Sequence, residues 1–288
     1  MDSAAAPDTR RIITAPRAIS LADFDPADTG GMEKVAAKAE LKQLQDRLQR
    51  QQELLWGAAH NAVLVILQGL DTAGKDGSIK HVLARVNPVG CQVTNFKAPT
   101  PEELAHDFLW RVHKRVPPLS VLGVFNRSHY EDVLVARVHE LAPPEVWERR
   151  YAQINDFERM LTQNGVILFK FFLHISKDEQ KQRLLAREED ADKAWKLAVG
   201  DWQERAHWDA YQRAYEDALG RCGTEWAPWH IVPADHKWYR NLVLARALTQ
   251  GLEPYERRWT QELAARGKQA TAEIRAYRKH GGKDDQTA

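Results

Sequence analysis

An apolar run leads directly into a glycine-rich turn, and few folds accommodate this combination. The run from Ala62 to Leu67 has the length and composition of a buried strand, and the turn reads Gly69-Leu-Asp-Thr-Ala-Gly-Lys-Asp-Gly77. A helix is predicted to begin near Ser78. Such a turn between a strand and a helix holds phosphate, because its backbone N–H groups and the positive end of the helix dipole face the anion. The sequence therefore predicts a phosphate-binding loop.

The loop has P-loop spacing up to its lysine and then departs from it. Lys75 follows Gly74 and is placed to reach a further phosphate, but position 76 is Asp, where most P-loop proteins have a Ser or Thr that binds magnesium. Asp71 offers a hard oxygen ligand instead, so we assign the metal to Asp71. The candidate phosphate-binding residues of the loop are Gly69, Thr72, Ala73, Gly74, Lys75, Asp76 and Gly77. The alternative is a strand-to-helix turn with a surface lysine.

Charge and cysteine content restrict the partners and the location. The 288 residues have a formal net charge of +1, so anion affinity must come from local clusters, and we expect no nucleic-acid partner. The two cysteines, Cys91 and Cys222, fit neither a disulfide framework nor a zinc site. No apolar run has the length of a membrane span or of a signal-peptide core. We therefore expect a cytoplasmic protein without a membrane partner.

The pattern along the chain predicts an α/β fold. Residues 1–31 are interpreted as an irregular lead-in, and residues 32–288 as one domain. Four apolar segments follow the first strand and are separated by helices. They predict a three-layer fold with a mostly parallel five-stranded sheet, whose ligands bind at the carboxyl ends of the strands. The four segments are 91–95, 119–125, 166–173 and 229–233.

Two helical regions leave alternatives open. The helix predicted from Glu33 to Trp56 has a leucine stripe that Gln51 interrupts, so it packs on its own domain or forms an intermolecular coiled coil. A polar insertion at about 177–220 is predicted to be a helical lid over the loop. Its cations either face phosphate or only solvent, and its tryptophans either pack or stack on bases. The cations are Arg183, Arg187, Lys193, Lys196 and Arg205, and the tryptophans are Trp195, Trp202 and Trp208.

A second polar cluster follows the strand predicted at 119–125. The sequence Phe125-Asn-Arg-Ser-His-Tyr-Glu-Asp132 places Asn126 and Arg127 at a carboxyl end of the sheet, near the loop. Arginine suits this position because its planar fork binds two phosphate oxygens and stays ionised. His129 is interpreted as a structural residue, with a general base as the alternative.

These motifs resemble those of the family-2 polyphosphate kinases. The resemblance spans roughly Leu64 to Leu248 and includes Trp195-Lys-Leu197 with Asp201, and Ala227-Pro-Trp229 followed by Pro233-Ala-Asp-His-Lys237. It implies that residues 32–288 form a P-loop kinase-like domain with a helical lid. It also implies phosphoryl transfer between inorganic polyphosphate and nucleoside mono- or diphosphates, dependence on Mg²⁺ with Mn²⁺ as a substitute, and a homo-oligomer, either a dimer or a tetramer.

The resemblance also assigns roles to individual residues. By resemblance, Asp71, Lys75 and Arg127 are catalytic, and Arg187 and Lys196 are lid residues that contact phosphate. Asn126 and Glu131 depart from many relatives and resemble the subgroup that phosphorylates both AMP and ADP. Two other functions stay open: an ATP-dependent nucleotide kinase of similar fold, and a non-catalytic polyanion-binding protein.

Overall fold

The structure is a computed structural model, and it describes residues 11–189 and 199–280. Within these ranges the strands are β1 (Ile12–Ile13), β2 (Ala62–Gln68), β3 (Cys91–Asn95), β4 (Leu122–Asn126), β5 (Val166–His174) and β6 (Trp229–Pro233). The first five helices are α1 (Lys34–Ala58), α2 (Lys75–Val82), α3 (Pro101–Leu104), α4 (Trp110–His113) and α5 (Val135–Val138). The other five are α6 (Pro144–Gln163), α7 (Lys177–Glu188), α8 (Val199–Glu204), α9 (Trp208–Cys222) and α10 (Lys237–His280).

The strands form one mixed sheet in the order β1-β6-β5-β2-β4-β3. All neighbouring pairs are parallel except β1 and β6, which are antiparallel. The predicted α/β architecture is confirmed, but the predicted count of five strands was wrong. The sixth strand, β1, lies inside the segment predicted to be irregular, and its two residues are too few to produce an alternating pattern.

Helices cover both faces of the sheet, as a mostly parallel sheet requires. Leu48 and Leu55 of α1 are buried in one core together with residues of β2, β5 and α10. Gln51, which interrupts the leucine stripe, is also buried, and its Nε2 donates to Thr249 O and Glu256 Oε1 of α10 at 2.8 and 2.6 Å. Helix α1 therefore packs on its own domain, which confirms the first of the two alternatives.

The predicted lid was too long at its C-terminal end. Helix α9 is a packing helix whose Tyr211, Tyr215 and Leu219 are buried in the core on the other face of the sheet. Its many charged residues occupy the exposed side, which made the whole stretch resemble a polar insertion. Only the segment between Lys177 and His207 stays a lid candidate, and residues 190–198, with Lys193, Trp195 and Lys196, lie outside the described residues.

The last helix, α10, is long and continues to His280. Gly251 and Pro254 are typical of helix ends, yet here Gly251 allows close packing, since a Cβ at this position would overlap the ring of Phe169. No helix among the described residues is long and apolar enough to cross a membrane. Both cysteines are free thiols.

Candidate active site

The phosphate loop connects β2 to α2 at the carboxyl end of the central strand. Gly69 and Gly74 have φ values of 156° and 102°, which glycine tolerates better than any other residue. Thr72, between them, also has a positive φ, of 66°. Because Gly74 is the N-cap, helix α2 begins at Lys75, three residues before its predicted start. The loop and the first turn of α2 thus carry all the phosphate-binding candidates predicted between Gly69 and Gly77.

Lys75 folds back over its own loop. Its Nζ donates to Gly69 O at 2.6 Å and to Leu70 O at 3.3 Å, and the side chain is buried. Burial, together with the charge of Arg127, lowers the pKa of Lys75 to about 8, and Asp71 opposes the shift only in part. The lysine is therefore held in an electropositive, desolvated place that an anion would stabilise.

Asp71, Arg127 and Glu131 form one chain of ion pairs. Arg127 donates from Nη2 to Asp71 Oδ1 at 2.6 Å and from Nη1 to Glu131 Oε2 at 3.2 Å. Burial alone would lower the pKa of Arg127, but the two carboxylates outweigh it and raise the pKa. Arg127 itself has a positive φ of 63° and donates its backbone N–H to Leu67 O. The loop carboxylate and the strand-end arginine, which lie far apart in sequence, are thus direct partners.

Asn126 lies beside this chain and is oriented by two acceptors. Its Nδ2 donates to Asp76 Oδ1 at 2.8 Å and to Asn95 Oδ1 at 2.7 Å. The amide therefore connects the first turn of α2 to the ends of β3 and β4. A carboxylate at position 126 could not donate either bond.

The turn that follows β4 is anchored by a fully buried hydrogen-bond network. Lys170 of β5 donates to Glu158 Oε2 at 2.6 Å, to the Tyr130 hydroxyl at 2.9 Å and to Cys222 O at 2.7 Å. His129 contacts Glu158 Oε1 at 3.2 Å and has no exposed surface. His129 is thus structural, as the preferred interpretation held, and it cannot reach the cleft as a base.

The lid candidate contributes Arg187. Its Nη1 donates to Asp201 Oδ2 at 3.0 Å. Burial and the charge of Asp71 raise the pKa of Asp201, although Arg187 opposes the shift. Because Asp71 belongs to the loop, the pair of Arg187 and Asp201 lies within electrostatic reach of the loop. Trp208 packs partly buried against the core, while Trp202 donates from Nε1 to Glu188 at 2.9 Å. The other predicted lid cation, Lys196, lies outside the described residues.

Asp71, Lys75, Asn126, Arg127 and Arg187 line a cleft of about 880 Å³, and Glu131 is not among its described lining residues. Cations from several elements line it, with Asp71 and Asp76 as the carboxylates among its described lining residues. Sequence reasoning missed the basic residues that α1, α10 and the later part of α2 contribute to this surface, since single basic residues on helices carry no distinguishing pattern. The basic lining residues are Lys38, Lys75, Lys80, Lys97, Arg127, Arg183, Arg187, Lys237 and Arg240.

The donor set around Asp71 fits a hard cation that is shared with phosphate. Among the described residues, no group of three or more His, Cys, Asp or Glu side chains could hold a metal ion alone. Mg²⁺ does not need one, because it is usually bound by one or two carboxylates together with substrate phosphates and water. Asp71, about one quarter exposed at the mouth of the loop, can supply such a carboxylate.

The fold and this site define an α/β protein with a P-loop type of phosphate-binding loop at the carboxyl edge of its sheet. Residues 31–260 match the family described as Polyphosphate kinase 2 (PPK2). The chain is 51% identical over 232 residues to the AMP/ADP-polyphosphate phosphotransferase of Meiothermus ruber, covering 80% of this chain and 87% of the relative. It is 43% identical over 236 residues to the ADP-polyphosphate phosphotransferase of Rhodopseudomonas palustris, covering 78% and 82%.

A crystal structure of Polyphosphate Kinase 2 from Arthrobacter aurescens TC1 superposes with a TM-score of 0.81 at 47% identity, covering 84% of this chain and 88% of that one. The chain belongs to the polyphosphate kinase 2 family.

Proposed function

We propose that this protein transfers phosphoryl groups from inorganic polyphosphate to AMP and ADP, giving ADP and ATP. The pairing of Asp71 with Arg127 at the mouth of the loop carries this proposal. A protein that only binds polyanions gains nothing from a carboxylate beside the bound phosphate, because the like charges repel. A phosphotransferase needs one to hold a metal ion.

The residues divide the work of transfer between them. The N–H groups of the loop and Lys75 bind the donor phosphates, and Arg127 and Arg187, which also line the cleft, add charge. Such transfer depends mainly on alignment and electrostatic stabilisation, and needs little covalent participation by the protein. The acceptor is a nucleotide phosphate that is already ionised near neutral pH, so no general base is required.

Asp71 is the proposed metal ligand, with Mg²⁺ as the ion and Mn²⁺ as its substitute. When bound there, the ion would supply charge neutralisation for the phosphoryl group. Asn126 and Glu131 are the proposed acceptor residues. Glu131 accepts a hydrogen bond from Arg127 and so positions the guanidinium. The amide of Asn126 adds no further negative charge at the end of β4.

Three further points belong to this proposal. The segment from Lys177 to His207 acts as the lid, residues 32–288 form a single domain, and the protein is a cytoplasmic homo-oligomer, a dimer or a tetramer. Mass measurement by light scattering after size-exclusion chromatography tests the oligomeric state.

One time course tests the reaction. The protein is incubated with polyphosphate, Mg²⁺ and AMP, with no other nucleotide, and ADP and ATP are followed by chromatography. Formation of ADP and then ATP is expected. Product formation only when ATP is supplied would identify an ATP-dependent nucleotide kinase, and polyphosphate binding without any product would identify a polyanion-binding protein.

A further inference from the structure

The backbone carbonyls of residues 69–73 in the phosphate loop are all engaged by side-chain donors. Lys75 Nζ serves Gly69 O and Leu70 O. Three side chains from outside the loop serve the next three carbonyls. Gln180 Nε2 donates to Asp71 O at 3.2 Å, Arg183 Nη1 donates to Thr72 O at 2.9 Å and to Ala73 O at 3.2 Å, and Arg240 Nη1 donates to Ala73 O at 3.1 Å.

The direction of a carbonyl fixes the direction of the next N–H group. A trans peptide is planar, so the C=O of one residue and the N–H of the following residue point in opposite directions. Donors that hold the carbonyls of residues 69–73 therefore also orient the N–H groups of residues 70–74. Except for the N–H of Ala73, which donates to Leu70 O at 3.1 Å, these are the N–H groups that we expect the loop to direct at its anion.

All three outside donors are buried. Gln180, Arg183 and Arg240 have relative exposures of 2%, 7% and 2%. Arg183 is also held by Glu179, and its Nη2 donates to Ala234 O and Asp235 O at 2.6 and 2.8 Å, so it joins α7, the loop and the end of β6. These side chains are fixed in position, as accurate orientation of a loop requires.

Arg240 is unusual because its hydrogen-bond partners are neutral. Besides Ala73 O, it donates from Nε and Nη2 to Asn241 Oδ1. Burial and the neighbouring Arg183 lower the pKa of Arg240 to about 9. A guanidinium buried in this way is costly unless an opposite charge approaches. Arg240 lines the cleft, where a phosphate would provide that charge.

The loop itself is shaped to accept Arg240. A Cβ at Gly74 would overlap Nη1 of Arg240, and one at Gly77 would lie 3.3 Å from its Nη2. Gly74 therefore has two reasons to be glycine: its positive φ and the approach of this guanidinium.

We propose that Gln180, Arg183 and Arg240 form a carbonyl clamp that positions the loop N–H groups for the phosphates of the donor. The clamp also positions Arg187, because Arg183 lies one helical turn before it on α7 and therefore on the same face of the helix. These are positioning residues that act through the loop backbone. The inference rests on the proposed phosphate-binding role of the loop.

The test compares buried side chains inside and outside the clamp. Arg240→Met removes a hydrogen-bond donor and its positive charge, whereas Gln180→Leu removes an uncharged hydrogen-bond donor. Arg246→Met is the matched control, because Arg246 lies on the same helix and makes a bidentate pair with Glu40 at 2.5 and 2.6 Å away from the loop. Each variant is titrated calorimetrically with sodium tripolyphosphate, its thermal midpoint is recorded, and its kcat and KM for polyphosphate are measured.

Arg240→Met and Gln180→Leu are each expected to weaken tripolyphosphate binding and to lower kcat by about tenfold or more, since small misplacements of binding groups cost up to about 100-fold. Arg246→Met is expected to lower only the thermal midpoint. If Arg240→Met does not fold, Arg240→Lys and Gln180→Leu decide the question.

Wild-type affinity and kcat in the clamp variants, or equal losses in Arg246→Met, would overturn the clamp. If the wild-type protein itself does not bind tripolyphosphate, that result contradicts the proposed function rather than the clamp. The wild-type titration is therefore done before any variant is made.

Discussion

Arg127 Nη2 and Asp71 Oδ1 lie 2.6 Å apart, so the cation and the carboxylate at the mouth of the phosphate loop are partners. If Asp71 holds the proposed metal ion, Arg127 would lose this partner and would become available to phosphate oxygens. Glu131 Oε2, 3.2 Å from Arg127 Nη1, would then keep the guanidinium in place. On this proposal, the pair links metal binding to the release of a phosphate-binding cation.

The first prediction concerns Asp71. Asp71→Asn keeps the size of the side chain and an oxygen that can accept from Arg127, but it removes the charge that a metal ion needs. We expect kcat to fall by about 10²- to 10³-fold, the loss typical of removing one key electrostatic group, with an unchanged circular dichroism spectrum. Near-normal turnover by the folded variant would show that Asp71 does not hold the metal.

The second prediction concerns the lid cations. Arg187→Ala and Lys196→Ala should each raise KM for polyphosphate and reduce the slope of log affinity against log salt by about 0.7, since fewer counterions are displaced. Arg258→Ala is the control, because Arg258 is exposed on α10 and contacts Glu262 and His60, which do not line the cleft. Unchanged polyphosphate kinetics across the salt series would mean that both residues belong to a solvated helix.

The third prediction follows from the pKa of Lys75, which is lowered to about 8. Above that pH the side chain of Lys75 in the free protein is mostly neutral. Bound phosphate favours the protonated lysine, so Lys75 takes up a proton when phosphate binds. Tripolyphosphate affinity should therefore fall as the pH rises from 7 to 9. Calorimetry in two buffers of different ionisation enthalpy should show proton uptake at pH 8.5 and much less at pH 6.5, and equal uptake at both would contradict this role.

The same shift has a consequence of opposite sign for stability. A lysine with a lowered pKa in the folded state binds fewer protons than the unfolded chain at pH 8 to 10.5, so its contribution to the free energy of unfolding becomes more favourable as the pH rises through this window. Binding and stability therefore respond to Lys75 in opposite directions.

The fourth prediction concerns acceptor choice at Asn126. Asn126→Asp places a second carboxylate beside Asp76, and like charges about 4 Å apart repel by roughly 1 to 4 kcal/mol depending on the local dielectric. AMP phosphorylation should fall more than ADP phosphorylation, because the two acceptors place their charge differently relative to this strand end. Asn126→Ala removes the amide without adding charge and serves as the control. Equal proportional losses for both acceptors would show that Asn126 does not set the choice.

The fifth prediction tests the buried network below the turn. Lys170→Met leaves Glu158 without its strongest partner, and breaking a buried pair costs about 3–5 kcal/mol of unfolding free energy, measurable by urea denaturation. Burial alone would raise the pKa of Glu158, but Lys170 and His129 together outweigh it and the pKa is lowered. The pair therefore stabilises above the ordinary glutamate pKa of 4.5 and loses this contribution as the pH falls. A loss below about 1 kcal/mol would contradict the assignment.

Much of the fold was predictable because the central strands are apolar runs, although Lys170 interrupts the run of β5. Strands β3 and β6 were predicted to the residue, and the loop was recognised from its glycines and Lys75. Strand β1 was missed because two isoleucines form no pattern. Helix α9 was predicted to be part of the lid because its charged residues are apparent in the sequence. The packing of Tyr211 and Tyr215 depends on partners that are distant in sequence.

The site was less predictable than the fold. Asp71, Lys75 and Arg127 could be proposed from motifs, but the pairing of Asp71 with Arg127 depends on where the ends of β2 and β4 meet. The clamp residue Gln180 carries no signal of its own. Lys170 does: a lysine inside the apolar run Val166 to Leu173 predicts a buried charge that needs a partner, although the sequence does not identify Glu158 as that partner.

The two-residue strand β1 has a practical meaning for handling the protein. Ile12 and Ile13 occupy the outer edge of β6, and the unpaired N–H and C=O groups of an exposed sheet edge are a template for another chain. Shortening the N-terminus past residue 13 would uncover this edge and invite edge-to-edge aggregation, even though the phosphate loop lies elsewhere on the sheet. An affinity tag that must be cleaved is therefore better placed at the other end of the chain.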